Sequence, residues 1–132
     1  MTDLINLPIA YQDAATGVLF IFTHSSEKFT TGIMILQPNT ELPKHERPKA
    51  IENLVQVAGK SDIKIFTNET EFTKYSLKPE DFLQIPKGMY HIHSNPYDES
   101  SITLFRAEGN ITEVILKIKE TFKIVPFTPP TI

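Results

Sequence analysis

The chain has no cysteine and no tryptophan. Without thiols there is no disulfide, no thiolate ligand and no cysteine nucleophile, so any metal must be held by nitrogen and oxygen donors. A strong charge of either sign is lacking too, since 13 basic against 16 acidic residues leave a net charge of −3. That balance speaks against a nucleic-acid partner and against a polybasic membrane patch. The apolar stretch Val18 to Phe22 is far too short to span a bilayer. Met1 to Asn6 has neither the basic start nor the apolar run of a secretory leader, so the cytoplasm is the expected location.

What is present is a chain of 132 residues, 40% apolar, which is long enough for one domain with a real core. Ten prolines and five glycines punctuate short runs rich in β-branched and aromatic residues. Val18–Phe22, Gly32–Leu36, Asn53–Ala58, Asp62–Phe66, Glu71–Leu77, Phe82–Ile85 and Ser101–Arg106 read as strands, with Gly59-Lys60-Ser61 as a hairpin connection. Gly32–Leu36 is apolar throughout and is expected to be covered on both faces. Residues 1–16 read as an irregular lead-in or a short edge strand. Strands at this spacing predict an all-β fold, an antiparallel barrel or jelly roll, with its core over about 18–107. One helix breaks the pattern. Asn110 and Glu113 have the form of a capping box, and Ile111, Val114, Ile115, Ile118 and Phe122 recur at helical spacing, predicting an amphipathic helix over about 111–123 that closes one side of the barrel. Residues 124–132, with Pro126, Pro129 and Pro130, read as an extended tail.

The stretch from Ile85 to Asn95 carries the first chemical signal. Pro86 and Gly88 mark a turn into a short strand, on which alternation puts His91, His93 and Asn95 on one face and Tyr90, Ile92 and Ser94 on the other. An isolated pair of this kind is more often hydrogen-bonded or on the surface than bound to metal. Upstream, however, lie His45 and Glu52, separated by a turn at Pro48 that lets them sit on adjacent strands with both side chains facing the same way. Two imidazoles and one carboxylate with open positions suit divalent iron, with zinc, manganese, nickel and copper as alternatives. His24 reads as a surface histidine.

These residues resemble the motifs of the cupins. The first cupin motif runs G-x5-H-x-H, three or four residues, E, six residues, G, and His45, Glu52 and Gly59 match it. The second runs G-x5-P-x-G-x2-H-x3-N, matched by Pro86, Gly88, His91 and Asn95. The resemblance implies a small double-stranded β-helix in which two histidines and the glutamate of the first motif, with the histidine of the second, hold one metal. Two departures matter. The second histidine of the first motif is Arg47, and the glycine that opens the second motif is Glu80. A permanently protonated guanidinium has no lone pair to give, so Arg47 cannot be a ligand. His93 can supply the lost nitrogen, a water or substrate can take the vacancy, or Gln56, on the same strand face as Glu52, can contribute. A barrel that has lost its metal is the other reading. Glu80 is tolerable where the backbone needs no positive φ.

The expected function is that of a small metal-binding cupin that binds or transforms a small anionic molecule, with Arg47 as a bidentate clamp for a carboxylate. Oxygenase, isomerase and lyase chemistry all fit the resemblance, and no catalytic residue is singled out. The alternative is a metal-free binding or dimerisation module. A homodimer is expected on either reading, from the apolar content around Val55 and Val57 and from the stripe Ile111, Ile115 and Ile118.

Overall fold

In the computed structural model, which describes residues 9–127, eleven strands and one helix follow in the order β1 (Ile9–Gln12), β2 (Leu19–Ser25), β3 (Phe29–Leu36), β4 (Thr40–Glu41), β5 (Ala50–Ala58), β6 (Ser61–Phe66), β7 (Phe72–Leu77), β8 (Phe82–Ile85), β9 (His91–Asn95), β10 (Ser101–Gly109), α1 (Thr112–Thr121) and β11 (Lys123–Pro126). They form a seven-stranded sheet in the order β11-β1-β2-β3-β10-β5-β8 and a four-stranded sheet in the order β4-β9-β6-β7. Every strand pairing is antiparallel. Leu54 and Ile85 from the larger sheet pack with Ile63, Ile65 and Leu77 from the smaller one, so the two sheets share a core. Alternation explains why these residues and not their neighbours meet: along β5, Leu54 and Gln56 are buried while Val55 and Val57 are exposed. β3 shows the same alternation at its start, and its last three residues are all buried.

The expected hairpin at Gly59 is not formed. β5 and β6 belong to different sheets, and Gly59 is where the chain crosses. Gly59 has φ 64°, and a Cβ there would collide with the Ser100 carbonyl, so the crossing uses both the left-handed backbone and the missing side chain. Local pattern cannot reveal this, because the partner strand is chosen by residues about forty positions away in sequence. The chain crosses again between β8 and β9, through Pro86 to Gly88.

Two further expectations are corrected at the C-terminal end. The capping box does not close; Asn110 Oδ1 instead accepts from Thr112 N at 3.1 Å and Thr112 Oγ1 at 2.7 Å, a turn one step ahead of the helix, and Ile111 is the N-cap residue. The start of the tail is also paired into a sheet and not free. Lys123–Pro126 form β11 on β1, in register Ile9↔Pro126 to Gln12↔Lys123; residues 128–132 lie outside the described part. The helix itself packs inward, with Ile111 and Ile115 buried against Ala50 and Ala107. Ile111 and Ile115 of that stripe are therefore core.

Candidate metal centre

His91 and His93 stand on β9, two residues apart and both buried. His45 is joined to the same strand by a reciprocal pair of backbone bonds, His45 N to His91 O at 3.0 Å and His91 N to His45 O at 2.8 Å. Glu52 comes from β5 on the other sheet. One potential ligand atom from each of these four residues can be chosen so that all lie within 4.8 Å of one another. Glu52 Oε2 is 3.2 Å from His91 Nε2 and 3.7 Å from His93 Nε2.

The histidine rings are oriented by their own backbone. His45 Nδ1 lies 2.9 Å from Pro43 O, and His91 Nδ1 lies 2.9 Å from Met89 O. A carbonyl oxygen only accepts, so each Nδ1 carries a proton, which leaves Nε2 as the ring nitrogen available to the cluster. This is the outer-shell device that fixes metal-binding imidazoles. Two buried ring nitrogens, His91 Nε2 and His93 Nδ1, have no hydrogen-bond partner. An orphaned buried polar atom is costly, and a bound cation is one way to satisfy His91 Nε2, which lies beside Glu52. Burial, aided by the neighbouring His93, His91 and Arg47, lowers the pKa of His45 from 6.5 to about 3, and burial also lowers that of His93. Burial alone would push the Glu52 carboxyl up, but the adjacent His91 and His93 rings hold it well below the usual range. Neutral imidazoles beside an ionised carboxylate are the protonation states that ligation requires. His45, Glu52, His91 and His93 thus form a site suited to a divalent transition metal, an N3O donor set without sulfur.

Arg47 is partly buried and lines the same cavity. Its Nε lies 3.6 Å from Glu52 Oε1, and Nη1 donates to Glu46 O at 3.2 Å. Among the described residues these contacts engage Nε and one proton of Nη1, and leave the second Nη1 proton and Nη2 for a ligand. Gln56 is corrected outright. Its Nε2 donates to Ala58 O and Ser101 Oγ, both at 2.9 Å, while its Oε1 accepts from Ser61 Oγ at 2.9 Å and Thr103 Oγ1 at 2.8 Å. Every donor and acceptor of the amide is engaged, so nothing is left for metal or substrate. Asn95 has a structural role as well, donating to the carbonyls of Leu36, Gln37 and Glu99. His24 is exposed and stacks on Phe29 with ring centroids 4.4 Å apart.

The motif-opening position is also corrected. Glu80 has φ 81°, so the backbone does need the left-handed conformation there. The corresponding position of the first motif is Asn39, with φ 56°, a residue that tolerates this region better.

Sequence reasoning missed the walls of the cavity beside these ligands. It is about 500 Å³, and Phe20, Phe22, Phe105 and Phe122 line it together with α1. These rings come from distant parts of the chain, and only the spacing of Phe20 and Phe22 on one strand face hinted at them.

No protein-family profile and no curated protein sequence matches the chain. Solved structures do. The cupin domain of Schizosaccharomyces pombe Cnp3 superposes with a TM-score of 0.66 at 16% identity, over 86% of this chain and 77% of that one. Drosophila melanogaster CENP-C bound to CAL1 gives 0.66 at 20% identity, over 74% and 78%. An oxalate oxidase gives 0.58 at 15% identity, over 74% of this chain but 45% of its own. At such identities the likeness concerns the fold, and the fold is that of the cupins.

Proposed function

We propose that this protein is a metal-dependent cupin that binds a small anionic molecule in the space between its two sheets, which close into a barrel around the site. The observation that carries the reading is the convergence of His45, Glu52, His91 and His93, with His91 Nε2 beside Glu52 and otherwise orphaned. A bound divalent metal would supply Lewis-acid polarisation of an oxyanion. The protein's own residues do the rest. The Pro43 and Met89 carbonyls hold the His45 and His91 rings in one tautomer. Glu52 offsets the metal's charge, and Arg47, held beside Glu52, offers a charged donor to a carboxylate.

The second reading is a metal-free module, favoured by Arg47 at the position of a ligand and by the fold shared with CENP-C. Retention of four clustered donors supports the first reading against it. Metal analysis of protein purified without an affinity tag tests the choice: about one equivalent of a transition metal is expected, and none after incubation with iron, zinc, manganese, nickel or copper salts would leave only the second reading. We further propose that the protein is a homodimer of the cytoplasm. The dimer rests on the outer face of the larger sheet, where Val55, Val57, Leu104 and Phe82 are exposed together.

A further inference from the structure

We infer that the molecule taken up beside the metal centre is amphipathic, an organic acid with one carboxylate head and an apolar body, and not a small wholly polar anion. The head position rests on the metal-site reading above. The body does not. His45, His93, Glu52 and Arg47 form one polar cluster on the cavity wall, and Asp13, Lys117 and Thr121 are the other polar residues that line it. Most of the remaining wall is hydrocarbon. Phe20 stacks on Phe22 with centroids 5.9 Å apart and lies 6.2 Å from Phe105 and 6.1 Å from Phe122, so four rings make one continuous aromatic surface. All four are only partly buried although they face the interior, so they keep solvent-accessible area that a ligand can cover. Val114 and Ile118 of α1 complete the apolar wall.

Size points the same way. A cavity of about 500 Å³ falls in the range of sites for organic ligands. It is on the order of fifteen times the ~30 Å³ share of one liquid water. A small dianion at the ligands would leave most of the phenylalanine surface wet, whereas an apolar body would release that water.

The test is a chain-length series of straight-chain carboxylates from acetate to decanoate, titrated calorimetrically into zinc-loaded and chelator-stripped protein. Affinity should rise about fourfold per methylene until the cavity is full. The slope should be the same in both forms, with weaker binding overall in the stripped form. Val114→Phe should retain zinc and stop the rise at a shorter chain. A flat series, or no binding at any length, in protein that still binds zinc overturns the inference. A protein that fails to bind zinc yet keeps the slope removes the metal reading and supports the apolar body on its own. The slope is measured on the unaltered protein, so a variant that misfolds leaves the test of the apolar body intact.

Discussion

Arg47 Nε stands 3.6 Å from Glu52 Oε1, so the residue in the place of a cupin histidine is paired with a ligand and does not act as one. Three of the four donors, His45, His91 and His93, are imidazoles from one side of the core, and the carboxylate reaches them from the other sheet.

Roles should therefore separate on mutation. His93→Ala and His91→Ala should each weaken metal binding by more than the ~10–100-fold typical of losing an outer-shell partner. Arg47→Ala should leave metal affinity unchanged or slightly higher, because a cation next to the site is removed. Its carboxylate affinity should fall by roughly ten- to a hundredfold, the equivalent of ~1.5–3 kcal/mol for a charged hydrogen bond. Titration of each variant with zinc and with octanoate checks this. Equal metal loss in Arg47→Ala and His93→Ala would sink the division.

Metal should also stabilise the fold. At a free concentration a hundred times Kd, a ligand that binds only the native state adds about 2.7 kcal/mol. For a chain of this size that corresponds to a rise in Tm on the order of 10 °C. Thermal melts with and without a chelator would show it, and superimposable melts at saturating metal would count against the site.

Acid should destabilise the metal-free protein. The pKa values of His45 and His93 are lowered by folding, so below about pH 6.5 the unfolded chain takes up protons that the native one refuses. Glu52, also lowered, acts in the same direction below the usual carboxylate range. Stability contributed by these groups is thus complete above pH 6.5 and is lost as pH falls. Denaturant midpoints of stripped protein between about pH 7.5 and pH 4 should decline steadily, and in His45→Gln the decline should be shallower.

Glu80→Gly should be neutral to stabilising, which is unusual for a change to glycine. Left-handed backbone costs a residue with a side chain ~1–2 kcal/mol. The extra freedom of glycine in the unfolded chain offsets ~0.4–1 kcal/mol of that. A gain of up to about 1 kcal/mol in urea unfolding is expected, and a clear loss would show that the Glu80 side chain has a role of its own.

The dimer proposed above predicts that Val57→Lys, on the exposed face of β5, yields a folded monomer. Sedimentation at micromolar concentration would decide it, since a wild-type monomer would remove the proposal.

The strands and the terminal helix were legible because each depends on short-range pattern, alternation or helical spacing, whereas the clustering of His45, Glu52 and His91 was legible through the resemblance of their motifs to those of the cupins. What was not legible depends on distant partners. The crossing at Gly59 answers to Ser100, the pairing of β11 answers to β1, and the aromatic cavity wall is assembled from β2, β10 and the end of α1. Gln56 escapes the pattern for a related reason. Its strand position, next but one from Leu54, places it correctly inside, but its occupation by Ser61, Ser101 and Thr103 is a tertiary fact.

That buried amide acts as a check on alignment. Three of its four bonds tie β5 to the first residue of β6 and to two residues of β10, across the point where the chain leaves one sheet for the other. Shifting β5 by one residue against β10 would turn Val55 or Val57 inward and strand three hydroxyls in the core, each unsatisfied group costing ~1–3 kcal/mol. Hydrophobic residues tolerate many near-equivalent packings, whereas this set tolerates one. Glu52, four residues away on the same strand, is thereby delivered to the height of His91 and His93, so a side chain that never touches the metal centre sets where its carboxylate arrives.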